Sequence, residues 1–445
     1  MERDWILLLA CSILTPHMVR PLRVRKLLVW ALPVFGIFLL WLHRDAAPWA
    51  RLLAASAGML YVVKGAIMAS YSLDEARRLG PLVFLIWPGM DPERLARREE
   101  STERDAYPIA RGLAWLYGGL AFLLLAALLP VSKTIAGWLG IAGLLLVIHF
   151  GLSELLSSVF RLAGRGVRPL FDRPCAARTL SDFWTRRWNL AFVEMDRRLF
   201  LPSLLKRFGY RGAILGVFLV SGLLHEMAIS YPAGGGWGLP FAYFTLQGLL
   251  VLGERRVKIP PALHRWLTWA AVLLPLSLVF TAQFREVFVT PMLEALRGVL
   301  TSHPVAWYYD RALWVMGFGH FLVLVASFQV PKKLGWKEEL PRLSPFNRKL
   351  MVAYGAFIVL TIVAFGTFTL LLHRDLLMGS RTAVFFAGFI ATFWLLRIGL
   401  DCFYYRHEDW PRGKQFVVGH ALLTSLFLFL SLSYGGLVVW HLATA

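Results

Sequence analysis

"GAILGVFLVSGLLHEMAISY", residues 212–231, is a run of 20 residues in which His225 and Glu226 are the only ionisable pair among apolar neighbours. About twenty residues at 1.5 Å each reach across the roughly 30 Å hydrocarbon core of a bilayer, so this stretch reads as a transmembrane helix. Similar runs recur along the whole chain. Twelve spans can be drawn, at about 5–17, 27–43, 52–70, 112–130, 136–154, 212–231, 239–253, 267–283, 312–329, 350–372, 382–400 and 416–441. Hydrophobic residues make up 58% of the 445 and charged residues 17%, against about a quarter charged in a soluble domain. The sequence predicts an all-α, polytopic membrane protein of about 12 transmembrane helices with interfacial or re-entrant helices. "PLVFLIWPGM", residues 81–90, is too short to span and is expected to be one of the latter. Residues 331–445 are expected to extend a core of residues 1–330 by three helices. The first span carries mixed charge before a short apolar stretch and no small-residue cleavage site, so it reads as retained.

Lys and Arg sort by side. Alternate loops, starting with 18–26, hold 36 of them, and the opposite set holds 9. Basic loops stay cytoplasmic, which places both termini outside and suggests a bacterial cytoplasmic membrane. A net charge of +20 could invite nucleic acid, but its placement between spans suits lipid headgroups or a polyanionic cytosolic substrate. Cys11, Cys175 and Cys402 lie too far apart for a disulfide framework or a metal spacing.

"HEMAI" begins like a zinc-protease helix, yet a zincin needs H-E-x-x-H and the fifth position is Ile229. No C-x-x-C, nucleophile elbow, P-loop or dinucleotide fingerprint occurs either, so no metal or nucleotide cofactor is expected. A second stretch, "TLSDFWTRRWNLAF" at 179–192, sits in the most basic loop, residues 155–211. On a continuous helix Trp184, Trp188, Ala191, Phe192, Met195 and Leu199 share one face, while Arg186, Asn189 and Arg197 share the other. Ser181 or Asp182 would cap its start. Such a helix fits a plain amphipathic anchor in the headgroup plane. It equally fits a dock for an anionic, lipid-tailed substrate, with Arg186 and Arg187 on phosphates and Trp184 and Trp188 beside the tail.

An ionisable group inside a span is costly and a functional candidate. His149, His320 and His420 also fall in or beside spans, and most such histidines only bond a neighbouring helix. His225 differs in its setting. Ser221 lies one turn earlier on the same face, and Gly222 permits close backbone approach. A neutral imidazole there is suited to take a proton from a hydroxyl near pH 7.

Together the two stretches resemble the membrane-bound O-acyltransferase superfamily, and within it the wax-synthase branch. "S-D-F-W-x-R-R-W-N", Ser181 with the run Asp182–Asn189, resembles the wax-synthase signature, and "FLVSGLLHE", residues 218–226, resembles the family's histidine helix 36 positions on. The likeness covers about residues 145–255. Thr185 stands where the plant enzymes have a glycine, and the chain after Pro331 exceeds the plant-type length. The resemblance implies a tunnel within the bundle, His225 as general base and Asn189 as the group that polarises the acyl carbonyl. It also implies acyl-CoA as co-substrate and a long-chain alcohol as acceptor, giving a wax ester. A sugar or another periplasmic hydroxyl is the alternative acceptor. A transporter would also explain twelve spans with Lys64, Arg397 and Asp401 inside them, although Arg397 and Asp401, four apart, fit a simple intrahelical ion pair. The loop assignment puts Asn189 near the inner face and His225 toward the outer end of its span. They meet only if loop 155–211 dips into the protein or a tunnel crosses the bilayer.

Overall fold

The computed structural model describes residues 22–79, 81–100, 107–254, 256, 260–404 and 413–444; the span expected at 5–17 lies outside them. Regular structure among the described residues is helical, with one isolated antiparallel bridge between Arg98 and Arg165 and no strand. The main helices are α1 (Leu22–Leu42), α2 (Pro48–Ala69), α3 (Tyr107–Leu128), α4 (Lys133–Leu162), α5 (Leu190–Leu199), α6 (Leu201–His225), α7 (Leu239–Glu254), α8 (Leu263–Leu278), α9 (Ala282–Thr301), α10 (Val305–Ser327), α11 (Pro345–Leu371), α12 (Arg381–Phe403) and α13 (Lys414–Thr444). The spans expected from residue 27 onward coincide with these helices, except that 212–231 runs past the end of α6 and 267–283 runs across the break between α8 and α9. Among the described residues eight helices are long and apolar enough to cross a membrane, or nine with the α8–α9 pair, which bends by 68°. α7, at 16 residues, is shorter than a span. The multispanning, all-helical architecture stands, and the count of about twelve is not established.

The chain forms two compact units, one of residues up to Ser101 with Ala114–Leu296, the other of Thr102–Leu113 with Arg297–Ala445. In the first, the buried ammonium of Lys64 on α2 donates to the carbonyls of Phe84 and Trp87 at 2.5 Å each and of Gly89 at 3.2 Å, and lies over the Phe84 ring. Three N–H donors thus meet three acceptors, which is how a lysine is tolerated among apolar side chains. This bonding fixes the 81–90 knot, a short helix (Pro81–Ile86) and a turn, against α2. Lys64 is therefore a fastener of backbone.

α6 and α7 pack closely because glycines remove side chains at the contact. A Cβ on Gly222 would lie 3.1 Å from the Phe241 Cα, and one on Gly248 3.0 Å from the Phe218 Cβ. α6 itself breaks at Gly209 (φ 62°, ψ −173°), a backbone conformation that glycine alone adopts easily.

In the second unit α10 to α13 bury Leu313, Met316, Ile390, Trp394 and Leu430 between them. Phe385, Leu371, Phe357 and Leu432 point outward, as expected of a surface solvated by lipid. Arg397 and Asp401 form an ion pair within α12, so they need no transport role.

Candidate active site

A cavity of about 270 Å³ opens in the first unit, lined by α5, α6, α7 and the residues before α5. α5 contributes Phe192, Val193, Asp196 and Arg197, which with Asn189 before them make the i, i+3, i+4, i+7, i+8 pattern of one helix face. α6 contributes Tyr210, Ile214, Val217, Phe218, Ser221 and His225, a strip that runs roughly 22 Å at 1.5 Å per residue. Phe244 and Val251 of α7 close the buried side.

The continuous amphipathic helix expected from 179 onward is corrected by the structure. The chain is α-helical over Leu180–Asp182, widens to a π-helix over Phe183–Arg187, becomes extended at Trp188 and turns left-handed at Asn189 (φ 43°, ψ 63°). Asn is among the few non-glycine types that visit this region readily. Backbone bonds from Asp172 N to the Arg187 carbonyl (2.9 Å) and from Leu190 N to the Leu170 carbonyl (2.8 Å) hold the break in place. As a result Asn189 faces the same cavity as Trp184 and Trp188, where a continuous helix would have put it on the opposite side.

The expected cap is also different. Thr179 Oγ1 accepts from Asp182 N at 3.0 Å, and the Glu254 carboxylate accepts from Leu180 N (2.8 Å) and Ser181 N (3.1 Å). Asp182 instead binds Arg187 Nε at 2.7 Å. Arg187 is turned toward this pair and toward the carbonyls of Asp172 and Arg173, and both Arg186 and Arg187 stand outside the cavity lining. Trp184, Trp188, Asn189, Ser221 and His225 are brought together in it. Loop 155–211 dips far enough for Asn189 and His225 to share one space.

His225 Nδ1 lies 2.7 Å from the Ser221 carbonyl. A carbonyl only accepts, so in the neutral ring the proton sits on Nδ1 and Nε2 keeps its lone pair. Nε2 has no hydrogen-bond partner among the described residues. The ring is set between Phe244, at 4.1 Å between centroids, and Phe192, at 5.6 Å. Directly after it the helix widens into a π-turn, Glu226–Ser230, a device common at functional sites. Glu226 turns away and accepts from Phe241 N at 2.9 Å, fixing the start of α7.

Sequence reasoning missed four supports. Glu254 caps the motif helix as described. Gln247, fully buried on α7, accepts from Trp184 Nε1 (3.2 Å) and donates to the Ala271 carbonyl (2.7 Å), which sets the tilt of the indole. Phe244 lies against the imidazole, its ring tilted by 36°. Asp196 places a carboxyl in the cavity, and burial pushes it up to about 8, so it is mostly neutral at pH 7. The helical spacing from Asn189 was the available signal for Asp196; the others become visible only when α7 is packed against the motif. Among the described residues no cluster of three or more His, Cys, Asp or Glu is arranged to hold a metal.

The match to a known family falls on this same region. The model of the membrane bound O-acyl transferase family matches residues 167–246. The chain is 34% identical over 105 residues to a long-chain-alcohol O-fatty-acyltransferase of Simmondsia chinensis, covering 21% of this chain and 30% of that one. It is 36% identical over 113 residues to the probable long-chain-alcohol O-fatty-acyltransferase 1 of Arabidopsis thaliana, covering 22% and 32%. To the acyl-CoA–sterol O-acyltransferase 1 of Arabidopsis thaliana it is 27% identical over 160 residues, covering 31% and 46%. The matches thus span less than half the length of these relatives. Over the stretch that brings Asn189 and His225 to one cavity, the chain is similar to the membrane-bound O-acyltransferase family.

Proposed function

We propose that the protein is an integral membrane O-acyltransferase that moves an acyl group from acyl-CoA to the hydroxyl of a long-chain alcohol, giving a wax ester. The observation that carries this reading is the orientation of His225. Its Nδ1–H is fixed on the Ser221 carbonyl, so Nε2 presents a lone pair in a cavity shared with Asn189. The alcohol gives its proton to Nε2 as its oxygen bonds to the thioester carbon. The carbonyl electron pair moves onto oxygen, where the Asn189 amide donates to the developing charge. The C–S bond then breaks and the imidazolium returns the proton to the leaving thiolate.

The lining favours lipid substrates. Leu201, Ile214, Val217, Phe218, Phe244 and Val251 offer an acyl or alkyl chain apolar contact along the α6 strip, and they offer a sugar little to bond. The basic residues of loop 155–211, on the cytosolic side in this reading, suit the coenzyme phosphates. The names of the relatives support an alcohol or sterol hydroxyl as acceptor.

Membranes containing the protein, given labelled palmitoyl-CoA and hexadecanol, are expected to form labelled wax ester. His225→Ala at equal expression is expected to lose about 10²–10⁴-fold of that rate. Label appearing in a glycan would transfer the reading to a sugar acceptor, and undiminished ester synthesis by His225→Ala would end the mechanism.

A further inference from the structure

One polar group in the cavity has no part in the reaction just described. Asp196 follows Asn189 by seven residues on the same face of α5, so the two are about 10 Å apart along the axis at 1.5 Å per residue. Phe192, whose ring meets the His225 imidazole, lies between them. Asp196 Oδ1 is buried and has no hydrogen-bond partner among the described residues. Of the buried side-chain atoms in that condition, it alone belongs to a residue lining the cavity. The neighbouring Arg198 turns away to Ser70 Oγ, at 2.9 Å, and to Glu93. Buried polar groups in native proteins are nearly always bonded, so an orphan on a residue that lines a cavity points to a missing partner.

We infer that Asp196 is the acceptor-binding residue: its carboxyl hydrogen-bonds the hydroxyl of the alcohol and holds that oxygen against Nε2 of His225. The inference rests on the acyl-transfer reading above and adds to it the place of the second substrate. Spacing decides between the two substrates. An amide and a carboxyl about 10 Å apart along one helix cannot share a single oxygen. With the acyl carbonyl at Asn189, the carboxyl serves the other side of the imidazole. The chemistry agrees. A hydroxyl that points its hydrogen at Nε2 keeps lone pairs, and a neutral carboxyl has an O–H to give them. Around Asp196 the rest of the wall is largely hydrocarbon, from Leu201, Ile214 and Val217, which suits the alkyl chain that follows the hydroxyl.

The test compares Asp196→Leu, which removes the hydrogen bond at similar volume, with Asp196→Asn, which keeps a donor and an acceptor. Asp196→Leu is expected to raise KM for hexadecanol about tenfold, the worth of one good hydrogen bond, and to leave KM for palmitoyl-CoA within about twofold. Asp196→Asn is expected to stay within about threefold for both. An unchanged KM for hexadecanol in Asp196→Leu, or an equal rise for both substrates, overturns the inference while leaving acyl transfer intact. A second arm needs no turnover: the gain in melting temperature of the purified protein from hexadecanol is compared with that from hexadecane. The alcohol is expected to stabilise the wild type more than the alkane does, and Asp196→Leu to lose that difference. Equal effects of alcohol and alkane on the wild type, or an undiminished difference in Asp196→Leu, refute the assignment. Absence of ester from wild-type protein, with the alcohol effect present, would refute the reaction and keep the site.

Discussion

Replacing Gln247 by Leu should disturb both the fold and the cavity, by an amount that follows from its two bonds. Gln247 is fully buried, and it alone joins Trp184 Nε1 to the Ala271 carbonyl. Leucine fits the space but can neither accept from the indole nor donate to the carbonyl. Each buried group left unpaired costs about 1–3 kcal/mol, a loss of roughly 2–6 kcal/mol for the pair. Burying the leucine side chain returns about 1.5–3 kcal/mol, so the net loss centres on about 2 kcal/mol. Purified in detergent, Gln247→Leu should melt several degrees below the wild type. The indole, freed from its anchor, should tilt in the cavity and raise KM for the lipid substrates by several-fold. Gln247→Glu should behave better than Leu in binding, since its carboxyl still accepts from Trp184. A melting temperature and KM values both equal to the wild type would show that the Trp184–Gln247–Ala271 chain orders nothing, and the account of the motif turn would fail with it.

Asp196 gives the chain a pH signature. Its carboxyl sits near 8 in the fold because of burial and near the usual carboxylate value when unfolded. The folded state therefore binds the extra proton between about pH 4 and 8, and the stability this group contributes is full below that window and lost as pH rises through it. Melting curves from pH 5 to 9 should fall more steeply for the wild type than for Asp196→Asn, and parallel curves would contradict the burial. Asn189→Gly should keep the left-handed turn and the melting temperature yet lose most activity, whereas Asn189→Ala should also lose about 1 kcal/mol from backbone strain. Activity retained in Asn189→Gly would remove the amide from the mechanism. Glu254→Ala leaves Leu180 N and Ser181 N without their acceptor and should cost about 1–2 kcal/mol, as lost helix caps do; an unchanged melting temperature would count against it.

What the sequence disclosed follows the range of the interactions involved. The span from 212 to 231 needed only length and apolarity, and α6 with the π-turn after it fills that stretch. Asn189 and His225 could be singled out because the residue types and their order carry the family resemblance, but how they come to one cavity was not readable. Nor was the break at Trp188 and Asn189, since periodicity over 179–199 favours an unbroken helix. That preference is overridden by backbone partners outside the segment, Leu170 and Asp172, which bind Leu190 N and the Arg187 carbonyl. The number of crossings was hard for a similar reason. The apolar run at 239–253 is legible as a run, but its helix stops at Glu254, which turns to the motif.

Two histidines in spans separate structural from chemical use. His320 on α10 and His225 on α6 are alike locally, each with Nδ1 close to the carbonyl four residues earlier, Met316 at 2.9 Å and Ser221 at 2.7 Å. Such a bond is available to any histidine in a helix and decides only the tautomer. The difference lies at the other nitrogen. Nε2 of His320 accepts from Trp394 Nε1 at 3.1 Å, which uses its last lone pair and seals the ring in a core with Phe365 and Tyr434. Nε2 of His225 meets no such donor among the described residues, and the ring borders a cavity instead. A lone pair left open among apolar side chains costs stability, and a fold retains it where a substrate supplies the missing hydrogen. On that ground His320 is a cross-brace between α10 and α12, and His225 is the one of the two that suits the proposed role of base.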